Sequence, residues 1–318
     1  MKASFRSKYG SPEILSIKEL EVPTPKDDEV LVKVIAATVN RTDYGLLKGT
    51  PFILRFFSGL FKPKFSITGT DFAGQIEGIG INVTSFKIGD RVMGFGGIGA
   101  ASHAEYLSIP ESKAIFIIPA NISYEHAAAS MEGGFYALHS IDSVNAKAGQ
   151  SALVYGATGA IGSSAVQFLK FYGLRVTAVC SGESIELVKS LGADKIIDYK
   201  KDDFAKDSEQ YNFVFDAVGK TSFSKCKRLL TKHGIFIPSD GFLNVLLSLT
   251  TPIFGGKKVV FRPPTNLKRS LDFIKNLLEI GSFKPVIDRK YPLDDIVEAY
   301  KYVGTGQKIG NVIIAMGA

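Results

Sequence analysis

Only two cysteines, Cys180 and Cys226, occur in 318 residues. That is too few for a disulfide framework or for a zinc lobe built on four thiolates. The four histidines, His103, His126, His139 and His233, fall at no spacing that suits a metal. No stretch of about 18 uncharged apolar residues is present, so no integral membrane segment is expected. The opening residues, MKASFRSKYG, lack the apolar core of a signal peptide, and the expected setting is reducing and cytoplasmic. Nor is there a run of lysines interleaved with stacking aromatics. The net charge of +7 is scattered, as at Lys26, Lys33, Lys48, Lys62 and Lys64, so nucleic acid is not an expected partner. What remains is an ordinary globular balance, 45% hydrophobic and 22% charged, in a chain long enough for about two domains.

The first part of the chain is β-rich. Glu29 to Ala37 is a strand-like run after the turn Val22-Pro23-Thr24-Pro25, and Ile67 to Gly80 alternates with glycines at the corners. Helical periodicity starts near Ser123, through Ala127, Met131, Phe135 and Leu138. From Gln150 short apolar strands alternate with helices. Strands are expected at 151–155, 175–179, 195–198, 212–215 and 234–238, and helices at 163–172 and around Leu187 and Leu229. Repeated βα units of this kind imply a parallel, doubly wound sheet. An amphipathic helix at 266–280 and a strand at 311–314 follow, and the C-terminal part is expected to return to the first domain.

The most informative segment is Gly156-Ala157-Thr158-Gly159-Ala160-Ile161-Gly162, between a strand and a helix. Gly156 permits a tight turn, Gly159 a close approach of main-chain N–H groups to a pyrophosphate, and Gly162 close helix–strand packing. The tip of the second strand, Val176 to Cys180, carries no carboxylate to hold a ribose 2′-hydroxyl. Ser181, and Tyr199 on the same rim, could meet a 2′-phosphate, so NADP(H) is favoured. Glu183 is close, however, and Ser181 and Ser184 could equally be helix caps.

The order of motifs resembles the medium-chain dehydrogenase/reductase superfamily, specifically its zinc-independent quinone oxidoreductase (zeta-crystallin-like) branch. The resemblance rests on Val39-Asn40-Arg41-Thr42-Asp43, Gly69-Thr70-Asp71-Phe72-Ala73-Gly74, Gly89-Asp90-Arg91-Val92 and Ala104-Glu105-Tyr106. It continues through Ala127-Ala128-Ala129, the glycine turn, Leu191-Gly192-Ala193-Asp194, Asp216-Ala217-Val218-Gly219 and Lys308-Ile309-Gly310-Asn311-Val312. The implied fold class is α/β: a GroES-like β-rich catalytic domain plus a Rossmann domain with a doubly wound parallel sheet. The expected boundaries are 1–122 and 263–318 for the catalytic domain and 123–262 for the NADP-binding domain.

The resemblance also implies roles. Zinc-dependent relatives place a Cys where this chain has Asn40 and a His-Glu pair where it has Thr70-Asp71, so no catalytic zinc is expected. His103 is expected on the surface, in a loop. Asn40 would face the nicotinamide ribose, Asp43 would support its loop, Val218 and Ser239 would lie beside the nicotinamide, and Asn311 would close over the cofactor. Tyr44 and Tyr136 are the candidate proton donors, with water as the alternative source. The implied activity is hydride transfer from NADPH to a quinone or an α,β-unsaturated carbonyl, the substrate being small and apolar and the protein a homodimer. The alternatives are an enoyl-thioester reductase and a catalytically silent NADP(H)-binding sensor. The chain departs from the family pattern at Gly45, where relatives often have Tyr, and in the apolar stretch Pro51 to Phe61; a second apolar stretch, Phe242 to Leu249, follows Ser239. Each stretch fits a pocket wall, a subunit interface or a membrane-facing surface, with interface or pocket wall favoured for the second.

Overall fold

The structure, a computed structural model, describes residues 1–317. Two antiparallel strands come first, β1 (Lys2–Phe5) and β2 (Ser16–Glu19). The long strand β3 (Glu29–Val39) leads into helix α1 (Arg41–Lys48) and a short helix α2 (Arg55–Ser58). Then come β4 (Asp71–Ile79), β5 (Arg91–Phe95), β6 (Tyr106–Pro110), β7 (Ile115–Ile117) and helix α3 (Tyr124–Asp142). The alternating part runs β8 (Ser151–Tyr155), α4 (Ala160–Phe171), β9 (Arg175–Cys180), α5 (Ile185–Ser190), β10 (Lys195–Asp198) and β11 (Tyr211–Asp216). It continues with α6 (Phe223–Cys226), β12 (Leu230–Pro238), α7 (Phe242–Thr250) and β13 (Lys258–Val259). The chain ends with α8 (Leu267–Glu279), β14 (Ile287–Pro292), α9 (Ile296–Gly304) and β15 (Asn311–Ala315).

The chain forms two compact units, Met1–Glu132 with Leu267–Ala318, and Gly133–Asn266. The first division falls inside α3, so the periodic pattern that begins near Ser123 is one helix shared by both units. In the first unit the sheet order is β14-β15-β3-β4-β5-β7, with β6 also paired to β3. β3 is central, antiparallel to β15, β4 and β6. Its last four residues, Ala36 to Val39, are all buried, as a strand covered on both faces must be. The pairing of β15 with β3 joins the end of the chain to the β-rich unit.

In the second unit six strands are parallel in the order β10-β9-β8-β11-β12-β13. By sequence rank within the unit this is 3-2-1-4-5-6, the doubly wound order whose chain reversal leaves a crevice at the carboxyl ends of the central strands. Three elements differ from the sequence expectation. The helix expected around Leu229 is only α6 plus one 3-10 turn, because Leu230 already enters β12. The apolar stretch after Ser239 is the helix α7, with none of its residues buried. The two-residue edge strand β13 is too short to leave a pattern. Among the described residues no helix is long and apolar enough to cross a membrane.

Candidate functional site

The glycine turn sits at the carboxyl end of β8 and opens α4 at Ala160, three residues earlier than the sequence pattern suggests. Gly156 has φ of 79°, a left-handed conformation that a side chain would strain, and a Cβ there would meet Val218 at 2.6 Å. Val218, just beyond β11, therefore packs on the turn. At Gly162 a Cβ would lie 2.1 Å from the Gly156 carbonyl oxygen, so only glycine lets α4 approach the turn this closely. Gly159 differs: it caps α4 with no side chain, and its nearest neighbour would be 3.9 Å from a Cβ. The turn thus presents open main chain and the first-turn N–H groups of α4 at Ala160, Ile161 and Gly162, an arrangement that suits a phosphate. Ala157 and Ala160 are buried, and Thr158 is half-buried. These residues fit a dinucleotide.

The adjacent strand tips hold the other expected nucleotide contacts. β9 and β10 end in register at Cys180 and Asp198, and Tyr199 N–H donates to the Cys180 carbonyl at 3.1 Å, so Ser181 and Tyr199 share one rim. Lys200 joins them, a residue the sequence reading did not single out. Its ammonium lies 2.9 Å from Glu183, while the Asp198 carboxyl lies against Gly182, where a Cβ would be 2.5 Å from Asp198 Oδ2. Asp216, buried at the end of β11, accepts main-chain N–H groups of Val218, Lys220 and Thr221 and so fixes the loop after the strand. Ser239 follows β12 directly and is exposed.

In the first unit Asn40 lies at the centre of a buried acid cluster. It caps α1, where its N–H donates to Asp43 Oδ2 at 2.8 Å. Its Nδ2 lies 3.1 Å from Asp71 Oδ2 and 3.2 Å from Glu132 Oε2, bridging two carboxyl groups. Asp71 also accepts from the Thr38 N–H and hydroxyl. Glu132 accepts from Thr42 at 2.5 Å and from Thr70 at 2.8 Å. Burial, reinforced by the charge of Glu132, pushes the Asp71 carboxyl up to about 8. Burial likewise raises Glu132 against its threonine donors, and raises Asp43 well above the carboxylate range. Lys308 is pushed down to about 8 by burial, against the attraction of Glu132. Carboxyl groups packed this closely in a low-dielectric core cannot all ionise together, so the cluster retains protons near neutral pH.

The same geometry bears on zinc. At the three positions compared with zinc ligands, Asn40 offers an amide donor, Thr70 a donated hydroxyl and only Asp71 a carboxyl. That donor set does not fit a catalytic zinc ion. Among the described residues no three His, Cys, Asp or Glu side chains are grouped to hold a metal.

Other expected residues lie elsewhere. Tyr44, on α1, packs its ring against Gly304 of α9 and the apolar core, and is outside the hydrogen-bonded cluster. Tyr136, on the part of α3 that belongs to the second unit, stacks obliquely on Phe135 with centroids 5.4 Å apart. Asn311 is buried at the start of β15, with its amide donating to the Val286 carbonyl. His103 corrects the surface expectation: it is fully buried, with Nδ1 2.9 Å from Thr68 Oγ1 and Nε2 2.9 Å from the Thr38 carbonyl. Burial holds it down at about 4, an uncharged imidazole that ties the loop before β6 to β3. Sequence reasoning missed Glu132 and Lys308. The available signal was a lone carboxylate in the otherwise apolar run Ala127 to Phe135.

Comparison with known proteins finds two family matches in the chain. The alcohol dehydrogenase GroES-like domain matches residues 26–120, and a family described as zinc-binding dehydrogenase matches residues 191–314. The chain is 33% identical over 326 residues to 2-methylene-furan-3-one reductase of Solanum lycopersicum and 32% identical to the chloroplastic NADPH-dependent alkenal/one oxidoreductase of Arabidopsis thaliana. Each alignment covers 99% of this chain and 79% of the relative. It is 28% identical to the human quinone oxidoreductase, covering 95% of this chain and 94% of that one. Among solved structures, a quinone oxidoreductase from Coxiella burnetii superposes over 99% of both chains with a TM-score of 0.86 at 23% identity. The chain therefore belongs to the medium-chain dehydrogenase/reductase superfamily, in the branch of its quinone and alkenal/one oxidoreductases.

Proposed function

We propose that the protein is an NADPH-dependent, zinc-independent oxidoreductase that reduces a quinone or an α,β-unsaturated carbonyl. The observation that carries this reading is the first unit's acid cluster, where the positions compared with zinc ligands hold an amide, a hydroxyl and the single carboxyl of Asp71, the first two donating to Asp71 and Glu132. Without a Lewis acid an alkoxide has little stabilisation, whereas a conjugated carbonyl disperses the charge left by hydride addition. Reduction of either acceptor takes one hydride and one proton. NADPH supplies the hydride when bound.

The chain's own residues do the rest. The first-turn N–H groups of α4 at Ala160, Ile161 and Gly162 hold the pyrophosphate, with Val218 buttressing Gly156. Ser181, Tyr199 and Lys200 take the 2′-phosphate, the charge of Glu183 being neutralised by Lys200. Glu132 holds the proton, with Thr42, Thr70 and Asn40 fixing its oxygens and Lys308 supplying the compensating charge. This makes Glu132 a better candidate acid than Tyr44 or Tyr136, whose rings pack against other groups. A homodimer is part of the reading, its support being the apolar face of α7, where Phe242, Leu243 and Leu249 are exposed.

The test is fluorescence titration with NADPH and NADH, followed by turnover with benzoquinone and a simple enone in the presence of a strong chelator. Tighter binding of NADPH and chelator-resistant turnover are expected. Turnover abolished by the chelator and restored by zinc would overturn the metal-free reading, and binding without turnover would leave a sensor.

A further inference from the structure

We propose that the segment from Pro51 to Lys64 is a docking surface for an anionic lipid bilayer. It carries Phe52, Ile53, Phe56, Phe57, Leu60 and Phe61, and all six are exposed, Phe56 by 69%, Phe57 by 67% and Phe61 by 89%. Their exposure is not slack in the chain. Tyr9 hydroxyl reaches both Ser58 Oγ and the Gly59 carbonyl, and Ser58 is fully buried. Arg55 donates to the Gly49 carbonyl at 3.1 Å, with its guanidinium 4.6 Å from the Tyr9 ring centre. Phe52 and Phe56 meet edge to face at 5.9 Å. A well-anchored loop therefore displays its aromatic side chains outward.

Charge selects the occupant. No acidic residue occurs between Asp43 and Asp71, a stretch that carries Lys48, Arg55, Lys62 and Lys64. Lys48, Lys62 and Lys64 are exposed, Lys62 following Phe61 directly in the chain. A second copy docking by this surface would set cations against cations. The headgroup layer of an anionic membrane instead takes the phenyl rings at the acyl boundary and pairs the cations with lipid phosphates. The exposed apolar face of α7 provides the contrast, since no charged residue occurs between Asp240 and Lys257. That face suits an uncharged protein surface and carries no cation to pair with lipid phosphates.

The test uses the full chain with vesicles of phosphatidylcholine, with and without phosphatidylglycerol, at low salt. Co-sedimentation with the anionic vesicles only, weakening as salt is added, is expected. The triple variant Phe56→Ser, Phe57→Ser, Phe61→Ser and the double variant Lys62→Glu, Lys64→Glu should each lower vesicle affinity at least about tenfold. NADPH binding should stay intact in both, which reports folding independently of lipid. The probe is lipid alone, so the outcome does not depend on the reductase reading. Absence of sedimentation at low salt would overturn the proposal, as would equal binding by wild type and both variants. A smaller solution mass of the triple variant would assign the surface to a second copy. A raised KM for soluble benzoquinone with unchanged vesicle binding would assign it to a substrate wall.

Discussion

The second unit prepares for a charged ligand with main chain, whereas the first gathers its charge handling in side chains. Around Gly156 to Gly162 no ionisable group takes part; the donors are N–H groups at a helix start, and the turn depends on residues with no Cβ. Around Asn40 nearly every bond is made by a side chain, and burial moves the acids far from their ordinary ranges. A main-chain site has a fixed charge pattern at any pH and fails when atoms are added. A side-chain site titrates and fails when a proton or a donor is removed. Substitutions that add volume in one unit and remove protons in the other should therefore separate the two.

The largest effect is expected at Gly162. In Gly162→Val the Cβ would overlap the Gly156 carbonyl oxygen, and since both atoms are anchored the turn must move. We expect a loss of about 2–4 kcal/mol in stability, read by denaturant unfolding, with NADPH binding abolished. Gly159→Ala sharpens the point, because its Cβ enters open space. Stability should fall by less than about 1 kcal/mol while NADPH affinity drops at least about tenfold. If Gly159→Ala bound NADPH normally, the turn would be a packing device and not a phosphate cradle.

The next effect is on rate. Glu132→Gln keeps the shape and one acceptor oxygen but removes the exchangeable proton. With benzoquinone or an enone, kcat should fall about a hundredfold while NADPH affinity is unchanged, the scale of a lost general acid. An unchanged kcat would mean that the proton comes from water and that the first unit's cluster is structural.

These two sites were not equally legible in the amino-acid order. The glycine turn could be read from seven consecutive residues because its chemistry is local, and the βα alternation around it gave the parallel sheet. Its neighbour β13 is too short for any pattern, and the apolar stretch Phe242 to Leu249 stood out by composition without being assigned as the helix α7. The acid cluster draws on Thr38, Asn40 and Thr42, then Thr70 and Asp71, then Glu132 and Lys308. Only folding β3 beside β4 and laying α3 against them brings these together. His103 was misread for the same reason. Its flanking residues look like a loop, but Gly69, at φ of 98°, leaves room for the ring, and the Thr38 carbonyl holds it from another strand.

A pH dependence follows from the first unit's buried groups. Asp71, held up at about 8, keeps its proton in the folded chain, whereas the unfolded chain loses it near pH 4. Between those values the folded state binds the extra proton, so this group's contribution to stability is present in acid and is lost as pH rises through 8. The slope is at most about 1.4 kcal/mol per pH unit. His103 works in the opposite direction: held down at about 4, it stays neutral in the folded chain, and its contribution is lost as pH falls from about 6.5 toward 4. The comparison must therefore be made between wild type and Asp71→Asn, whose stability difference should shift against wild type as pH rises from 4 to 8. Parallel curves would show that Asp71 is ionised in the folded chain.

The smallest effect tests whether the second unit reads its ligand with main chain alone. Lys200 is exposed and pairs with Glu183 at 2.9 Å on the rim shared by Ser181 and Tyr199. An exposed cation works through a screened field, so Lys200→Ala should weaken NADPH binding only about three- to tenfold and leave NADH binding unchanged. The difference should vanish in high salt, where the Debye length shrinks to about 3 Å. Freed from Lys200, Glu183 would repel a 2′-phosphate, so Lys200→Ala, Glu183→Gln should recover part of the loss. If Lys200→Ala kept the full preference for NADPH, discrimination would rest on the uncharged Ser181 and Tyr199, and the second unit would have no charged side chain in its ligand contacts at all.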